Sequence, residues 1–256
     1  MPEFCSVSQQ DGVTIITIDR PKVMNSLHPP ANFELEAAMN AFEADPNSRV
    51  AIFTGAGEKA FSAGNDLKYT AAGHKIEVPK TGFGGLTKNF ERKKPVIAAV
   101  NGVALGGGFE IALACDLIIA SENALFGLPE PKVGLAALAG GLNRLPRQIG
   151  QKQALGMILT GRHVSAAEGK ELGFVNEVVP VGGALATALE WANVIAANSP
   201  QSIRTSLDVV KRSLDIANLE DGINAHYDSV DDLRKGADAV EGPLAFAEKR
   251  QPKWSA

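Results

Sequence analysis

Residues 100–118 read VNGVALGGGFEIALACDLI, and the fold turns on how they are parsed. PVIAAVNG, at 95–102, is a short apolar run ending in glycine, the pattern of a buried strand. The apolar run that follows Glu110 reads as a helix beginning at Gly107 or Gly108, and DLIIAS at 116–121 is a strand again. Consecutive glycines let backbone come close to a ligand and adopt conformations other residues avoid. A helix that starts at such a run presents its first N–H groups unpaired, at the positive end of the dipole. That geometry suits a negatively charged oxygen. Glu110 falls in the first turn, where a carboxylate also gains ~0.3–1 kcal/mol from the dipole alone. The stretch by itself therefore leaves a structural and a functional reading open.

The same alternation extends outward. VTIITI at 13–18 reads as a strand, and DRPKVMNSLHPP has turn chemistry. ANFELEAAMNAFEA, at 31–44, sets Phe33, Leu35, Ala38, Met39 and Phe42 near helical spacing. RVAIFTGAG is a short buried strand ending in glycines. Strand, glycine turn and helix recur without a strict sequence repeat, which indicates an α/β fold. SAAEGKELG carries a helix stopped at Gly173, and FVNEVVP is one more strand. From Ala184 onward the chain has helical period nearly throughout. Two regions are expected: an α/β core over 1–182 and a helical region over 183–256, divided at Gly182-Gly183. The tail's amphipathic helices need a surface to cover, their own core or another subunit. Residues 71–88, AAGHKIEVPKTGFGGLTK, lack period and read as a mobile, functional loop.

Composition narrows the class. The 256 residues are 45% hydrophobic and 21% charged, with a formal net charge of −4. Neither nucleic acid nor an anionic membrane is indicated as a partner. The basic cluster Arg92-Lys93-Lys94 is short and reads as a solvated helix end. No window approaches a membrane-spanning apolar run, and the N-terminus has no secretory pattern, so a soluble cytoplasmic protein is expected. Cys5 and Cys115 suggest neither a disulfide framework nor a zinc site. His28, His74, His163 and His226 lack metal-ligand spacing and read as loop or surface residues. No metal and no separate cofactor are expected. No G-x-S-x-G elbow is present.

Two further segments bear on chemistry. Glu130 lies between Pro129 and Pro131 with apolar residues around it, a rigid setting that raises a carboxyl pKa toward neutrality. AFSAGNDLKY, at 60–69, places small residues Ala63 and Gly64 just after a strand, where backbone can again approach a ligand. An N–H at Ala63 with another at Gly107 would form a two-donor oxyanion hole, and Glu110 and Glu130 could share one water beside it. Gly55, Gly57 and Ala60 have dinucleotide-like G-x-G-x-x-A spacing, but no long helix follows, so a tight strand-to-loop turn is the better reading.

Taken in order, these segments resemble the crotonase (enoyl-CoA hydratase/isomerase) superfamily over nearly the whole chain. DRPKVMNSL is similar to that family's loop near the CoA phosphates. FSAGNDL and NGVALGGGFE resemble its two oxyanion segments, CDLIIA and FGLPE follow, and EGPLAFAEKR is similar to its C-terminal signature. The resemblance implies a spiral of ββα units with a C-terminal helical trimerisation region, homotrimers often paired as hexamers, and acyl-CoA thioester substrates, coenzyme A being part of the substrate. It implies Ala63 and Gly107 as oxyanion donors, and substrate contact through Lys22, Ala63, Gly64, Asn65, Asp66 and Gly107. Phe246 and Lys249 match positions that reach the CoA nucleotide of a neighbouring subunit. It implies Glu110 and Glu130 as the acid/base pair of a hydratase, Glu110 activating water and Glu130 protonating Cα. The same hole serves isomerases and thioester hydrolases, and a non-catalytic acyl-CoA-binding member is the remaining alternative, against which both glutamates argue. Leu128 stands where many hydratases have Gln, and VGLAALAGGLNRL departs from their usual run, giving a less polar wall beside Glu130. GFGGLT, LPE and the ending GPLAFAEKRQPKW look especially similar to the carnitinyl-CoA dehydratase branch.

Overall fold

Residues 2–75 and 77–255 are described by the computed structural model of the chain. The hairpin β1 (Cys5–Gln10) and β2 (Val13–Ile18) leads into α1 (Pro29–Ala44). The chain then repeats one plan. β3 (Val50–Gly55), β4 (Ala60–Ser62) and α2 (Leu67–Ala71) form one ββα turn; β5 (Val96–Val100), β6 (Val103–Leu105) and α3 (Gly107–Ala114) form the next. β7 (Leu117–Ser121), β8 (Leu125–Gly127), a 3-10 turn over Glu130–Val133 and α4 (Gly141–Gln148) form another. α5 (Gln151–Thr160), β9 (His163–Ser165), α6 (Ala166–Leu172) and β10 (Glu177–Val179) close the spiral. The helices α7 (Ala184–Ala196), α8 (Pro200–Ser213), α9 (Leu219–Asn224), α10 (Asp228–Lys235) and α11 (Asp238–Ala247) follow.

The first strand of each turn enters a six-stranded sheet of order β1-β2-β3-β5-β7-β10; the second enters a four-stranded sheet of order β4-β6-β8-β9. Only the β1–β2 and β8–β9 pairs are antiparallel among these. The expected crotonase-like ββα spiral with helices at its C-terminus is thus the observed architecture. Every residue of β3 is buried because its sheet is covered on both sides, which is why VAIFTG shows no polar alternation. Ala51, Phe53, Val96, Ala98 and Ile118 face the main core with α1 and α3. Val50, Ile52, Ile97, Ala99 and Ile119 face the other way, onto α7, whose Ala184, Ala188 and Ala192 lie one helical turn apart and let the helix come close.

α7 therefore belongs with the sheet it covers, although it lies past residue 182, where helical period takes over. The helical period over 218–236 resolves into two short helices, α9 and α10, interrupted at Ala225–Tyr227. Three expectations are corrected. Within 71–88, of which residue 76 lies outside the described residues, the second half is pinned. Gly84 N–H donates to Asn32 (2.7 Å), Thr81 bonds Glu36, and Phe83 to Thr87 are buried. The basic cluster is not a solvated end: Arg92 and Lys94 are each 6% exposed. Arg92 forms a bidentate pair with Asp116 (2.6 and 2.9 Å), while Lys94 donates to the carbonyls of Phe42 and Asp45. His28 is also buried, its ring edge-on to Phe4 and Tyr69.

Candidate active site

The glycine triplet is where the two sheets and α3 converge. Gly106, at φ +52 and ψ −127, turns β6 into α3 in a conformation open essentially to glycine. A β-carbon on Gly108 would overlap the Ser62 carbonyl of β4, so only a bare Cα lets α3 start this close to the neighbouring turn. Gly107 is the first residue of α3, and among the described residues its N–H has no protein acceptor. That leaves a donor at the positive end of the helix, as the sequence indicates.

The second donor differs from expectation. Ala63 N–H is bonded to the Met24 carbonyl at 2.9 Å and cannot also serve a ligand. The N–H left unpaired on this segment is that of Asn65. Leu27 bridges to it in parallel fashion: Leu27 N–H donates to Gly64 O (2.7 Å) and Asp66 N–H donates to Leu27 O (2.9 Å). The N–H of Asn65 between them points away from Leu27 and has no acceptor among the described residues. Gly64, at φ +84, abuts Gly107, which brings the Asn65 and Gly107 segments side by side. Asp66 holds this turn in place by capping α2 through Tyr69 N–H and pairing with Arg20 at 3.1 Å.

Both glutamates stand on segments adjoining these donors, Glu110 in the first turn of α3 and Glu130 against Gly106. Glu130 opens the 3-10 turn after β8, and its carboxyl lies against Gly106: a β-carbon there would stand 3.0 Å from Oε1. Its Oε2 is buried without a partner among the described residues. Glu110, 3% exposed, accepts the N–H of Gly141 at 2.8 Å through Oε1. Burial dominates its titration and, with the nearby charge of Glu130, outweighs the Gly141 and Ala139 amides and Arg144, so its pKa is pushed up to about 7. Burial also raises the Glu130 carboxyl above the ordinary range. Leu128, Ala137 and the Glu110 methylenes close around Gly141, so the wall there is apolar, as the sequence departures indicate.

Lys22 is exposed and lines a groove of about 390 Å³ with Met24, Gly57, Glu58 and Lys59, at the edge of the loop locked to Asn65. Phe246, 87% exposed, and Lys249 lie on the surface at the end of α11; within one chain they are not gathered with the other residues. Sequence reasoning missed Gly141 as the residue that holds Glu110. The signal was present: Gly140-Gly141 ahead of a helix repeats the logic of the 106–108 triplet. Nothing local distinguishes Ala63 from Asn65 as donor; the partner strand decides it.

An unpaired N–H pair with one buried and one half-buried glutamate on adjoining segments, on a ββα spiral, defines a class. The chain belongs to the enoyl-CoA hydratase/isomerase family, which it matches over residues 8–256. Carnitinyl-CoA dehydratase of Escherichia coli (strain K12) is 41% identical, the alignment covering 99% of each chain. Among solved structures, enoyl-CoA hydratase from Mycobacterium tuberculosis H37Rv superposes with TM-score 0.93 at 38% identity, covering 100% of this chain and 99% of that one. Carnitinyl-CoA hydratase from Mycobacterium avium gives 0.79 at 41%, covering 98% of each. Among the described residues no helix is long and apolar enough to cross a membrane.

Proposed function

We propose that this chain catalyses the reversible syn addition of water to a 2-enoyl-CoA thioester, giving a 3-hydroxyacyl-CoA. The observation that supports it is the clustering on adjoining segments of the unpaired Asn65 and Gly107 N–H groups, Glu110 in the first turn of α3 and Glu130 against Gly106. The thioester oxygen accepts the two N–H groups. Ionised Glu110 takes a proton from water as its oxygen bonds Cβ; the Cα=Cβ electrons move toward the thioester and form an enolate at the hole. Protonated Glu130 then delivers its proton to Cα. The charge developing on the oxygen is what the donors stabilise, and each such donor contributes ~2.7–4 kcal/mol in comparable sites. Burial raises both carboxyls above the ordinary glutamate range, Glu110 to about 7, which brings their proton transfers closer to neutrality.

The second reading is dehydration of carnitinyl-CoA by the same groups in reverse, favoured by the 41% identity to carnitinyl-CoA dehydratases. Incubating the protein with enoyl-CoA thioesters of several chain lengths and with carnitinyl-CoA tests both. A mass gain of 18 on an enoyl thioester supports hydration, and a loss of 18 from carnitinyl-CoA the second reading. Unchanged mass with a moved double bond, or free CoA, would replace both with isomerase or hydrolase activity.

Assembly as a homotrimer, alone or paired into a hexamer, is part of the proposal. Leu214, Leu219, Ile223, Val240 and Phe246 are each 70–87% exposed on or beside the C-terminal helices, apolar surface that a second copy would cover. Sedimentation at micromolar concentration tests it, and a monomer would refute it.

A further inference from the structure

Arg144 stands three residues past Gly141, the residue whose N–H holds Glu110. Its guanidinium folds back over Gly140, at φ +111, where any β-carbon would overlap it. Its Nη2 donates to the Thr87 carbonyl at 2.8 Å, and the group lies 5.8 Å from the Phe90 ring centre. Thr87 Oγ1 in turn accepts the N–H of Phe83 at 2.9 Å, and the Phe83 ring fills the space left by the absent side chain of Gly107. From Arg144 one path thus runs through Gly141 to Glu110. The other runs through Thr87 and Phe83 to the Gly107 donor. Arg144 and Thr87 are 57 residues apart in sequence.

We infer that Arg144 is a positioning residue: it fixes the start of α4, and with it the N–H that orients Glu110, to the turn that backs the Gly107 oxyanion donor. The inference rests on the hydration chemistry proposed above for the roles of those two groups. Its charge has a second consequence. The charged groups felt by Glu110 are Glu130, which disfavours its ionised form, and Arg144, which favours it; the Gly141 and Ala139 amides favour it too. Around Arg144 itself stand Glu110, Arg92 and the Cys115 thiol, which burial pushes well above its ordinary range. Removing the guanidinium leaves Glu110 with burial and Glu130 less opposed. A lysine would keep the charge but lose the planar fork that spans Gly140 and Thr87.

Arg144→Met and Arg144→Lys test this against wild type by two readouts. One is kcat and KM on a thioester the wild type turns over. The other is the ¹³C titration of the Glu110 carboxyl, assigned by its loss in Glu110→Gln. Expected in Arg144→Met are a kcat lower by roughly tenfold to a hundredfold with KM little changed, and a Glu110 midpoint raised by about one pH unit. In Arg144→Lys the midpoint stays near wild type while kcat still falls. A folded Met variant with unaltered kcat and midpoint overturns the inference, and so does a fully active Lys variant. Should the Met variant fail to fold, the Lys variant decides alone. If the wild type turns over no thioester, the proposed hydration fails, whereas the Glu110 titration still tests the hold of Arg144 on that carboxyl.

Discussion

Gly64 faces the backbone nitrogen of Gly107: a β-carbon on Gly64 would stand 2.8 Å from that nitrogen and 2.7 Å from the Leu105 carbonyl. The loop after β4 and the start of α3 can lie side by side only because this position has no side chain and accepts φ +84. Gly64→Ala should therefore push the Asn65 and Gly107 donors apart. The expected outcome is a kcat lower by roughly a hundredfold or more, with a few degrees lost in Tm from the strained φ. Steady-state rates beside a thermal melt check it; a variant that melts lower yet turns over normally would show that the spacing does not matter.

Asn65 and Ala63 make a sharper pair, since one N–H is free and the other is given to Met24. Replacing each amide by an ester, through an α-hydroxy acid at that position, removes the donor and weakens the preceding carbonyl as an acceptor, at residue 65 the Gly64 oxygen that accepts Leu27 N–H. At residue 65 the expected loss is about 10²–10³ in kcat. At residue 63 it is about 1 kcal/mol of stability from the lost bond to Met24, with kcat unaltered. The reverse pattern would restore Ala63 as the oxyanion donor.

The pH profile of hydration follows from the two carboxyls. Glu110 must be ionised to take a proton from water, so kcat should rise as pH passes through about 7. Glu130, raised above the ordinary glutamate range by burial, must still hold the proton it delivers, so kcat should fall as that carboxyl ionises. Glu130→Gln should abolish turnover while leaving acyl-CoA binding intact. Glu110→Gln should cost roughly 10²–10⁴ in kcat and lose the rising limb. A rising limb that survives in Glu110→Gln would assign it to another group.

The buried pair Arg92–Asp116 joins the segment before β5 to the segment before β7, and Lys211 of α8 approaches the same carboxylate at 3.4 Å. Arg92→Met leaves Asp116 buried without its bidentate partner and should cost about 3–5 kcal/mol. Adding Asp116→Leu should recover part of that, because the unpaired carboxylate is gone although the Val96 N–H (2.8 Å) and Lys211 lose their partner. Urea unfolding of both variants checks this, and a double variant no more stable than the single would contradict it.

How much of this could be read from the chain depends on whether a feature is local. β2 and β3 were legible because both faces of their sheet are covered, so VTIITI and VAIFTG are apolar runs, whereas β1, exposed at five of its six residues, was not. β4, β6, β8 and β9 were not, because they are held by pairing across the spiral rather than by a pattern of their own. Glu110 and Glu130 were legible from the glycines and prolines around them. Asn65 was not, because its free N–H is fixed by Leu27, which lies 38 positions earlier. Arg92 read as a surface cation because nothing near it in sequence reveals Asp116, 24 residues on.

Glu110 should also set a pH-dependent limit on stability. Its carboxyl is 3% exposed and titrates near 7 in the folded chain, against 4.5 for an ordinary glutamate. The folded state therefore favours the protonated form. Stability from this residue is intact below about pH 4.5, declines as pH rises toward 7, and is lost above that. The ionised carboxylate is then held at a cost of roughly 3 kcal/mol, by the linkage of 1.36 kcal/mol per unit. A glutamine at 110 keeps an oxygen to accept the Gly141 N–H but cannot ionise. Glu110→Gln should thus stabilise the fold by roughly 3 kcal/mol at pH 8 and by under about 1 kcal/mol at pH 5. Thermal or urea unfolding of wild type and variant at the two pH values measures the difference. Equal effects at both would mean that the carboxylate is solvated in the folded chain, and that Glu110 does not titrate near neutrality as the water-activating role requires.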